Sequence, residues 1–351
     1  MPTLFFTGYP GFLGSELLPR LLRRDPEATA VCIVQPKFAA LATERMMASP
    51  FASRIRLVEG DITQPNLGLR EPVRDVAEVY HLAAVYDLMV PRDVGMRVNV
   101  EGTRNVLDFA ASSPALRRVH YVSTCYVSGP HPGLFTEEDL EKGQTFNNFY
   151  EETKYLAEVE VRRRMRGGLP ATVYRPAVVV GDSTTGATQK FDGPYFVIQW
   201  LLRQPRIAML PVAGRPSRYR FNVVPRNFIV DAIEALSGRR ESLGKTYQLA
   251  DPEPLTVDET ISAVAAATGR KVLRVPLPKS VAKFSLDHVP GLYRLMRIPS
   301  AAVDYFVHPT LYDTTNTRRD LTIPVPHLRD YLPRLIEFVK AHPEIGSEAM
   351  A

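Results

Sequence analysis

The sequence predicts an α/β fold, a doubly wound parallel sheet with a smaller C-terminal lobe. In the first 183 residues, short apolar runs alternate with longer amphipathic segments. Strands that alternate with helices form parallel βαβ units. Some of the apolar runs, such as Val178–Val180, are unbroken, as expected for strands covered on both faces. After residue 183 prolines and glycines become frequent, which marks the change to the second lobe.

The strands and helices of the first part can be placed one by one. We expect strands, some running on into turns, at 3–8, 30–35, 55–62, 76–84, 117–129 and 171–183. The helical patterns between them lie at 12–24, 38–49, 98–113 and 150–165. Beyond residue 183 we expect helices at 227–236 and 257–269, and strands at 245–250 and 271–277. Residues 1–183 therefore form the first domain and 184–351 mostly the second, with 220–250 returning to the main sheet.

Composition excludes several classes of protein. Hydrophobic residues make up 45% and charged residues 23%, as is ordinary for a soluble globular chain. The net charge of +5 is scattered, so we expect no nucleic-acid partner. Two cysteines, Cys32 and Cys125, form neither a disulfide framework nor a zinc pattern. No apolar run reaches the roughly 18 residues of a membrane span. We expect a cytoplasmic protein without a metal site.

A glycine-rich turn follows the first strand. Gly8, Gly11 and Gly14 are spaced G-x-x-G-x-x-G, one residue longer than the usual dinucleotide fingerprint. Gly8 permits a tight turn, Gly11 leaves room for a phosphate, and Gly14 allows close packing of helix and sheet. The helix N-terminus adds a positive dipole. The sequence therefore predicts a dinucleotide diphosphate site here.

The residues after the second strand select the cofactor. Where an acid would bind the ribose of NAD, this chain has Gln35, and Lys37 stands beside it. No carboxylate repels a 2′-phosphate there and a cation is at hand, so we expect NADP(H). Asp61, at the end of the third strand, either accepts a hydrogen bond from adenine or caps the next turn.

A tyrosine and a lysine four residues apart supply the chemistry. Tyr150 and Lys154 share one helix face, where an ammonium would lower the pKa of the phenol. Such a phenol can exchange a proton with a carbinol oxygen. Ser123 and Thr124 end the fifth strand, where parallel sheets hold ligands, and a hydroxyl from either could bind the substrate oxygen.

The ordered motifs resemble those of an extended short-chain dehydrogenase/reductase with a Rossmann sheet. They are T-G-x-x-G-F-L-G at 7–14, G-D-I at 60–62, H-L-A-A at 81–84, N-V-E-G-T at 99–103, V-S-T at 122–124, Y-x-x-x-K at 150–154 and Y-R-P at 174–176. The resemblance implies that Thr124, with Ser123 as its rival, is catalytic together with Tyr150 and Lys154. It also implies cofactor contacts from Phe12, Leu13, Asp61, Ile62, Leu82, Ala83, Ala84, Asn99, Pro176, Ala177 and Val179. Candidate substrate contacts are Tyr86, Cys125 and Tyr126.

The stretches "GFLG", "VSTCYV" and "NNFYEETKYLAE" resemble the male-sterility-like branch of that family. This resemblance implies NADPH-dependent reduction of an acyl thioester to aldehyde or alcohol, without a covalent cysteine. Cys125 is then a small core residue. The apolar stretches 195–202 and 289–307 of the substrate-binding lobe suit core packing or a hydrophobic pocket.

The expected function is therefore NADPH-dependent reduction of a small-molecule carbonyl with a hydrophobic tail: an acyl thioester, aldehyde or ketone. Alternatives are a nucleotide-sugar epimerase or dehydratase, a steroid- or flavonoid-type dehydrogenase, and a non-catalytic NADPH-sensing or scaffold protein. Sugar-nucleotide members usually carry an acid where this chain has Gln35. We expect a monomer or homodimer.

Overall fold

The computed structural model describes residues 2–290, 296 and 298–346. The strands are β1 Thr3–Thr7, β2 Thr29–Val34, β3 Ile55–Glu59, β4 Val76–His81, β5 Arg118–Val122, β6 Gly133–Phe135, β7 Ala171–Pro176, β8 Val178–Val180, β9 Ile207–Ala213, β10 Val223–Pro225, β11 Thr246–Leu249, β12 Lys271–Leu277 and β13 Thr310–Tyr312. Seven of them form one parallel sheet in the order β11-β7-β5-β4-β1-β2-β3. The pairs β8–β10, β9–β12 and β6–β13 form small parallel sheets.

The α-helices lie between and after these strands. They are α1 Gly14–Arg24, α2 Ala39–Met47, α3 Arg92–Gly95, α4 Gly102–Ala111, α5 Phe149–Arg166, α6 Pro194–Leu202, α7 Arg226–Ser237, α8 Val257–Thr268, α9 Lys279–His288, α10 Thr315–Asp320 and α11 Leu328–Ala341. A π-helical turn, Met96–Glu101, joins α3 to α4. The 3₁₀ turns are Pro36–Phe38, Ala52–Arg54, Pro65–Gly68, Cys125–Ser128, Arg240–Ser242 and Ser300–Val307.

Helices cover both faces of the main sheet. The core on one face includes Leu17 and Leu21 of α1 together with Ile229 and Ile233 of α7. The core on the other face is supplied mainly by α4 and α5. Spacings of three and four residues place these side chains on one stripe of each helix. The doubly wound parallel architecture predicted from the sequence is confirmed.

The sixth predicted strand is split in the structure. The chain pairs with β11 as far as Ala177, whose N–H donates to the carbonyl of Leu249 at 3.1 Å. The N–H of Val178 then donates to the carbonyl of Asn222 at 3.2 Å, so β8 pairs with β10 instead. The apolar run is continuous across this change of partner, which is why it was predicted as one strand.

A further core lies outside the main sheet. It unites α6, α8 and α11 with β8 and includes most of the apolar stretch 195–202. The second apolar stretch, 289–307, falls partly on residues 291–295 and 297, which lie outside the described residues. Thr246–Leu249 stands at the edge of the main sheet, beside β7.

Candidate active site

The glycine turn is built on one carbonyl group. Gly8 follows β1 with φ of +86°, and its carbonyl accepts the N–H of Gly11 at 2.9 Å. A Cβ on Gly11 or Gly14 would lie 2.7 or 2.5 Å from that oxygen. The sequence assigned these two glycines to phosphate approach and to helix packing. In the structure, the atom nearest to an added Cβ at either position is the Gly8 carbonyl oxygen, which belongs to the same turn.

The turn presents unbonded amides at the start of α1. Within the part of the chain that the structure describes, the N–H groups of Phe12 and Leu13 donate to no acceptor. The helix that follows has eleven residues, and no side chain caps it at Leu13. Free amides at a helix N-terminus favour an anion. The residues present therefore fit the diphosphate of a dinucleotide.

Gln35 and Asp61 contact each other at the next strand ends. Gln35 Nε2 donates to Asp61 Oδ2 at 2.9 Å, and the N–H of Thr63 donates to Asp61 Oδ1 at 2.8 Å. The capping alternative for Asp61 is thus realised, and its adenine contact stays a prediction. Lys37 is exposed, with Nζ 4.9 Å from the ring centroid of Phe38.

Sequence reasoning missed a second cation near this end of the site. Arg45, on α2, donates to the carbonyl of Pro10 in the glycine turn and to Ser15 Oγ, the latter at 2.8 Å. Arginine is well suited to phosphate because its planar fork offers several donors. The available signal was a basic residue on the helix after Lys37, but helices carry basic residues for many reasons.

Thr124 and Tyr150 meet at the carboxyl end of β5. Tyr150 stands in the first turn of α5, whose N-cap is the side chain of Asn148, which accepts the N–H of Glu151 at 3.0 Å. Burial raises the pKa of Tyr150, and a hydrogen bond with the Thr124 side chain opposes that shift. A buried phenol beside a hydroxyl is the pairing that the sequence predicted.

Lys154 has different partners from those expected. Its Nζ donates to the Tyr121 hydroxyl at 3.0 Å and to the carbonyl of Val122 at 2.8 Å. Burial lowers the pKa of Lys154 to about 7, although Glu158 opposes the shift. The expected lowering of the Tyr150 pKa by a lysine ammonium is not among the main influences on that phenol. Tyr121 is a site residue that no motif indicated.

Ser123, the rival hydroxyl, is held by a buried ion pair. Its Oγ donates to Glu158 Oε2 at 2.6 Å. Glu158 also accepts from Arg175 at 2.6 Å, and both of these side chains are fully buried. Arg175 donates in turn to the carbonyl of Asp139 at 2.7 Å. Ser123 is thus held by a short bond to a buried ion pair, whereas the hydrogen bonds of Thr124 are longer, which favours Thr124 as the hydroxyl available to a substrate.

Asn99 ties the strand-end segment to α5. Its Oδ1 accepts the N–H of Val85 at 2.9 Å, and its Nδ2 donates to Thr153 Oγ1 at 3.0 Å. The residue lies in the π-helical turn, and such turns are frequent at functional sites. The segment before it, residues 82–84, is held by Thr7, whose carbonyl and hydroxyl accept the N–H groups of Leu82 and Ala83.

Of the other predicted cofactor residues, one contacts the catalytic candidates and the others pack in the protein interior. The carbonyl of Pro176 accepts from Thr124 Oγ1 at 3.4 Å, which brings the β7 end to the catalytic candidates. The chain changes sheets at Ala177, and the next site candidate, Val179, packs against the core. Ile62 is buried with its Cδ1 2.8 Å from where a Cβ on Gly102 would lie, so its side chain serves packing.

The three candidate substrate residues differ in accessibility. Tyr86 is 39% exposed and its ring packs edge-on against Tyr150, with centroids 5.0 Å apart. Tyr126 is buried against Tyr305, with centroids 4.6 Å apart. Cys125 is fully buried, and burial raises the pKa of its thiol. A buried protonated thiol is a core group, as expected from the sequence.

Lys190 and a cleft lie next to this cluster, and neither was predicted from the sequence. Lys190 Nζ lies 3.8 Å from the ring centroid of Tyr86 and 2.6 Å from Asp192 Oδ2. A cleft of about 520 Å³ adjoins the site. Its lining includes Tyr126, Asp251 and His308, but not Thr124 or Tyr150.

The family model described as male sterility protein matches residues 6–233, more than half of the chain. The chain belongs to the male sterility protein family. The assignment confirms the resemblance drawn from the motifs, and this family consists of NAD(P)-dependent reductases of the extended short-chain type.

Relatives of this family member occur inside large synthetases and reductases. The nonribosomal peptide synthetase FrzA of Cladobotryum sp. is 25% identical over 91% of this chain, which spans 34% of that protein. The large subunit of L-2-aminoadipate reductase from Penicillium chrysogenum is 30% identical over 60% of this chain and 17% of its own length. The chain thus spans about a third or less of these relatives.

Solved structures agree with the family assignment. The terminal R domain from the myxalamid PKS-NRPS pathway matches with a TM-score of 0.81 and 25% identity, over 99% of this chain and 93% of that one. A UDP-glucuronic acid 4-epimerase with bound NAD shares the fold at 18% identity and a TM-score of 0.69. Over residues 2–290, 296 and 298–346, no helix has both the length and the apolar character of a membrane span.

Proposed function

We propose that this male sterility family member is an NADPH-dependent reductase of a carbonyl group on a hydrophobic tail, with an acyl thioester, aldehyde or ketone as substrate. The observation that carries the proposal is the buried Thr124 hydroxyl at the carboxyl end of β5, which opposes the burial-driven rise in the pKa of the buried Tyr150 phenol. Ligands of parallel sheets bind at that edge. The relatives include an L-2-aminoadipate reductase, which supports the same reaction class.

The residues of the chain have separate tasks in this reaction. The bound cofactor would supply a hydride to the carbonyl carbon. Thr124 binds and polarises the carbonyl oxygen, and Tyr150 donates the proton that this oxygen needs. Lys154, fixed by Tyr121 and the Val122 carbonyl, positions the helix face that carries Tyr150 and serves as the next proton holder.

NADPH is proposed over NADH because of the charges beyond β2. Gln35 is neutral, and Asp61, the carboxylate that it contacts, accepts hydrogen bonds from Gln35 itself and from the N–H of Thr63. Lys37 and Arg45 supply two cations on the 3₁₀ turn and the helix that follow β2. A 2′-phosphate placed between them would gain charge-assisted hydrogen bonds.

The division of labour between domains belongs to the same proposal. Residues 1–183, with 220–250, would hold the cofactor, and the rest would form the substrate lobe. Tyr86 and Tyr126 are the proposed substrate contacts. Their aromatic surface, continued by Tyr305, suits an apolar tail rather than a sugar.

The test is an activity panel with purified protein. Acyl-CoA thioesters, aldehydes, ketones and sugar nucleotides are offered with NADPH or NADH, and products are identified. We expect oxidation of NADPH with an apolar carbonyl, and loss of turnover in Tyr150→Phe. Full turnover by Tyr150→Phe would refute the proton relay, and turnover of sugar nucleotides alone would establish the epimerase or dehydratase alternative.

A further inference from the structure

Arg226 stands beside the glycine turn, and among the described residues its side chain makes one long ion pair and no hydrogen bond. It opens α7, and its guanidinium carbon lies 5.1 Å from the ring centroid of Phe12. Its side chain is only 11% exposed. Among the described residues no acceptor receives a hydrogen bond from it, and its buried Nε has no partner at all. A guanidinium offers five N–H donors, and buried donors are normally satisfied.

The nearest carboxylates do not satisfy this group. Glu16 Oε1 lies 3.5 Å from Arg226 Nη2, too long for a good charge-assisted hydrogen bond. The same carboxylate group is 41% exposed and lies closer to Arg20, at 3.3 Å. The positive charge of Arg226 helps to lower the pKa of Asp182. The Oδ1 atom of Asp182, however, accepts the N–H groups of Thr184 and Thr185.

The position of Arg226 relates it to the unbonded amides of the turn. Phe12, whose ring lies under the guanidinium, also carries one of the free N–H groups at the start of α1. Helices α1 and α7 pack side by side, and Arg20 on α1 bonds Asp231 on α7 at 2.9 Å. The first turns of α1 and α7 are therefore neighbours, and the Arg226 guanidinium lies beside the free amides of the glycine turn.

We propose that Arg226 binds the diphosphate of the dinucleotide cofactor, together with the amides of Phe12 and Leu13. The ligand class is a dinucleotide diphosphate, and this role rests on the proposed function. Arg226 and Arg45 then have different tasks. Arg226 recognises a group that NADPH and NADH share, whereas Arg45 recognises the 2′-phosphate that only NADPH carries.

The test measures dissociation constants, not turnover. The probes are NADPH, NADH, ADP-ribose, which keeps the diphosphate, and adenosine 2′-monophosphate, which lacks it. Arg226→Gln should weaken NADPH, NADH and ADP-ribose by roughly tenfold or more, the effect of losing charge-assisted hydrogen bonds. It should leave adenosine 2′-monophosphate unchanged, which also shows that the variant is folded. Arg226→Lys should fall between, because it keeps the charge and loses the fork.

Two matched variants complete the experiment. Arg20→Gln removes the other arginine near Glu16 and should change no dissociation constant. Arg45→Gln should weaken NADPH and adenosine 2′-monophosphate more than NADH, which it affects only through its bonds to the glycine turn. Unchanged ADP-ribose binding in Arg226→Gln, or equal weakening of all four probes, would overturn the inference alone. If the wild-type protein binds neither dinucleotide, the proposed function fails with it.

Discussion

The roles assigned to Ser123 and Thr124 can be separated with two substitutions. The neighbouring hydroxyls are both about 95% buried at the end of β5, yet they have different partners. Thr124→Val removes the hydroxyl that faces Tyr150 and keeps the shape of the side chain. Ser123→Ala removes the hydroxyl that bonds Glu158. We expect the first to impair the reaction and the second to impair stability.

The contacts set the expected sizes. Thr124 Oγ1 makes two long hydrogen bonds, 3.4 Å to the Pro176 carbonyl and 3.3 Å from the N–H of Tyr126. Their loss should cost about 1 kcal/mol of unfolding free energy or less, while kcat should fall roughly 100- to 1000-fold, as for one oxyanion donor. The 2.6 Å bond from Ser123 to the Glu158 carboxylate is short and charge-assisted. Its loss should cost about 1.5–3 kcal/mol.

Urea unfolding and single-turnover kinetics with NADPH measure the two effects on the same preparations. The assignment predicts that each variant is impaired in one measurement and near wild type in the other. If Ser123→Ala loses turnover and keeps its stability while Thr124→Val keeps turnover, then Ser123 is the catalytic hydroxyl. The same pattern would mean that the Glu158 bond contributes little.

Three further outcomes follow from single positions. Burial lowers the pKa of Lys154 to about 7, below its unfolded value of about 10.4, so the unfolded state binds the extra proton between these values. The free energy of unfolding should therefore rise from pH 7 to about 8, below the range where the buried thiols Cys32 and Cys125, whose pKa values burial raises, begin to oppose it. This rise should be lost in Lys154→Met, measured by urea unfolding over the same range. Arg45→Gln should reduce the preference of turnover for NADPH over NADH about tenfold or more, by lowering kcat/KM for NADPH more than for NADH; an equal loss for both cofactors would contradict its role. Gly8→Ala should destabilise the protein and weaken cofactor binding, because Gly8 has φ of +86° and a Cβ there would lie 2.8 Å from the Ala83 amide nitrogen; wild-type melting and binding would contradict the packing argument.

Local patterns predicted most of the elements because each strand of the main sheet is an apolar run bounded by turn residues. The break at Ala177 shows where local patterns fail. Residues 177–180 are as apolar as the strand before them, but their backbone pairs with residues 222–225. The choice of pairing partner depends on contacts across more than forty positions of sequence, which no local periodicity encodes.

The sequence predicted the site residues that belong to motifs. It did not predict the contacts that those residues make with the rest of the folded chain. Thr124 and Tyr150 were expected to meet, and the structure brings them together. The partners of Lys154 were not foreseeable, because Tyr121 lies on a strand in which it looks like any buried aromatic residue. Arg45 and Arg226 come from helices far apart in sequence. Only the folded chain brings both arginines to the glycine turn.

Burial of the catalytic candidates bears on the direction in which the site works. Reduction leaves a negative oxygen that must be protonated, and a phenol that holds its proton is ready to do so. Oxidation needs the phenolate first. Burial raises the pKa of Tyr150 and so opposes the phenolate, and Lys154, with a pKa of about 7, carries a full positive charge only below neutral pH. Among the described residues, the neutral side chain of Thr124 is the main influence that lowers the pKa of this phenol. The Tyr150 phenol of the described site therefore keeps its proton, which is the form that the proposed reduction requires.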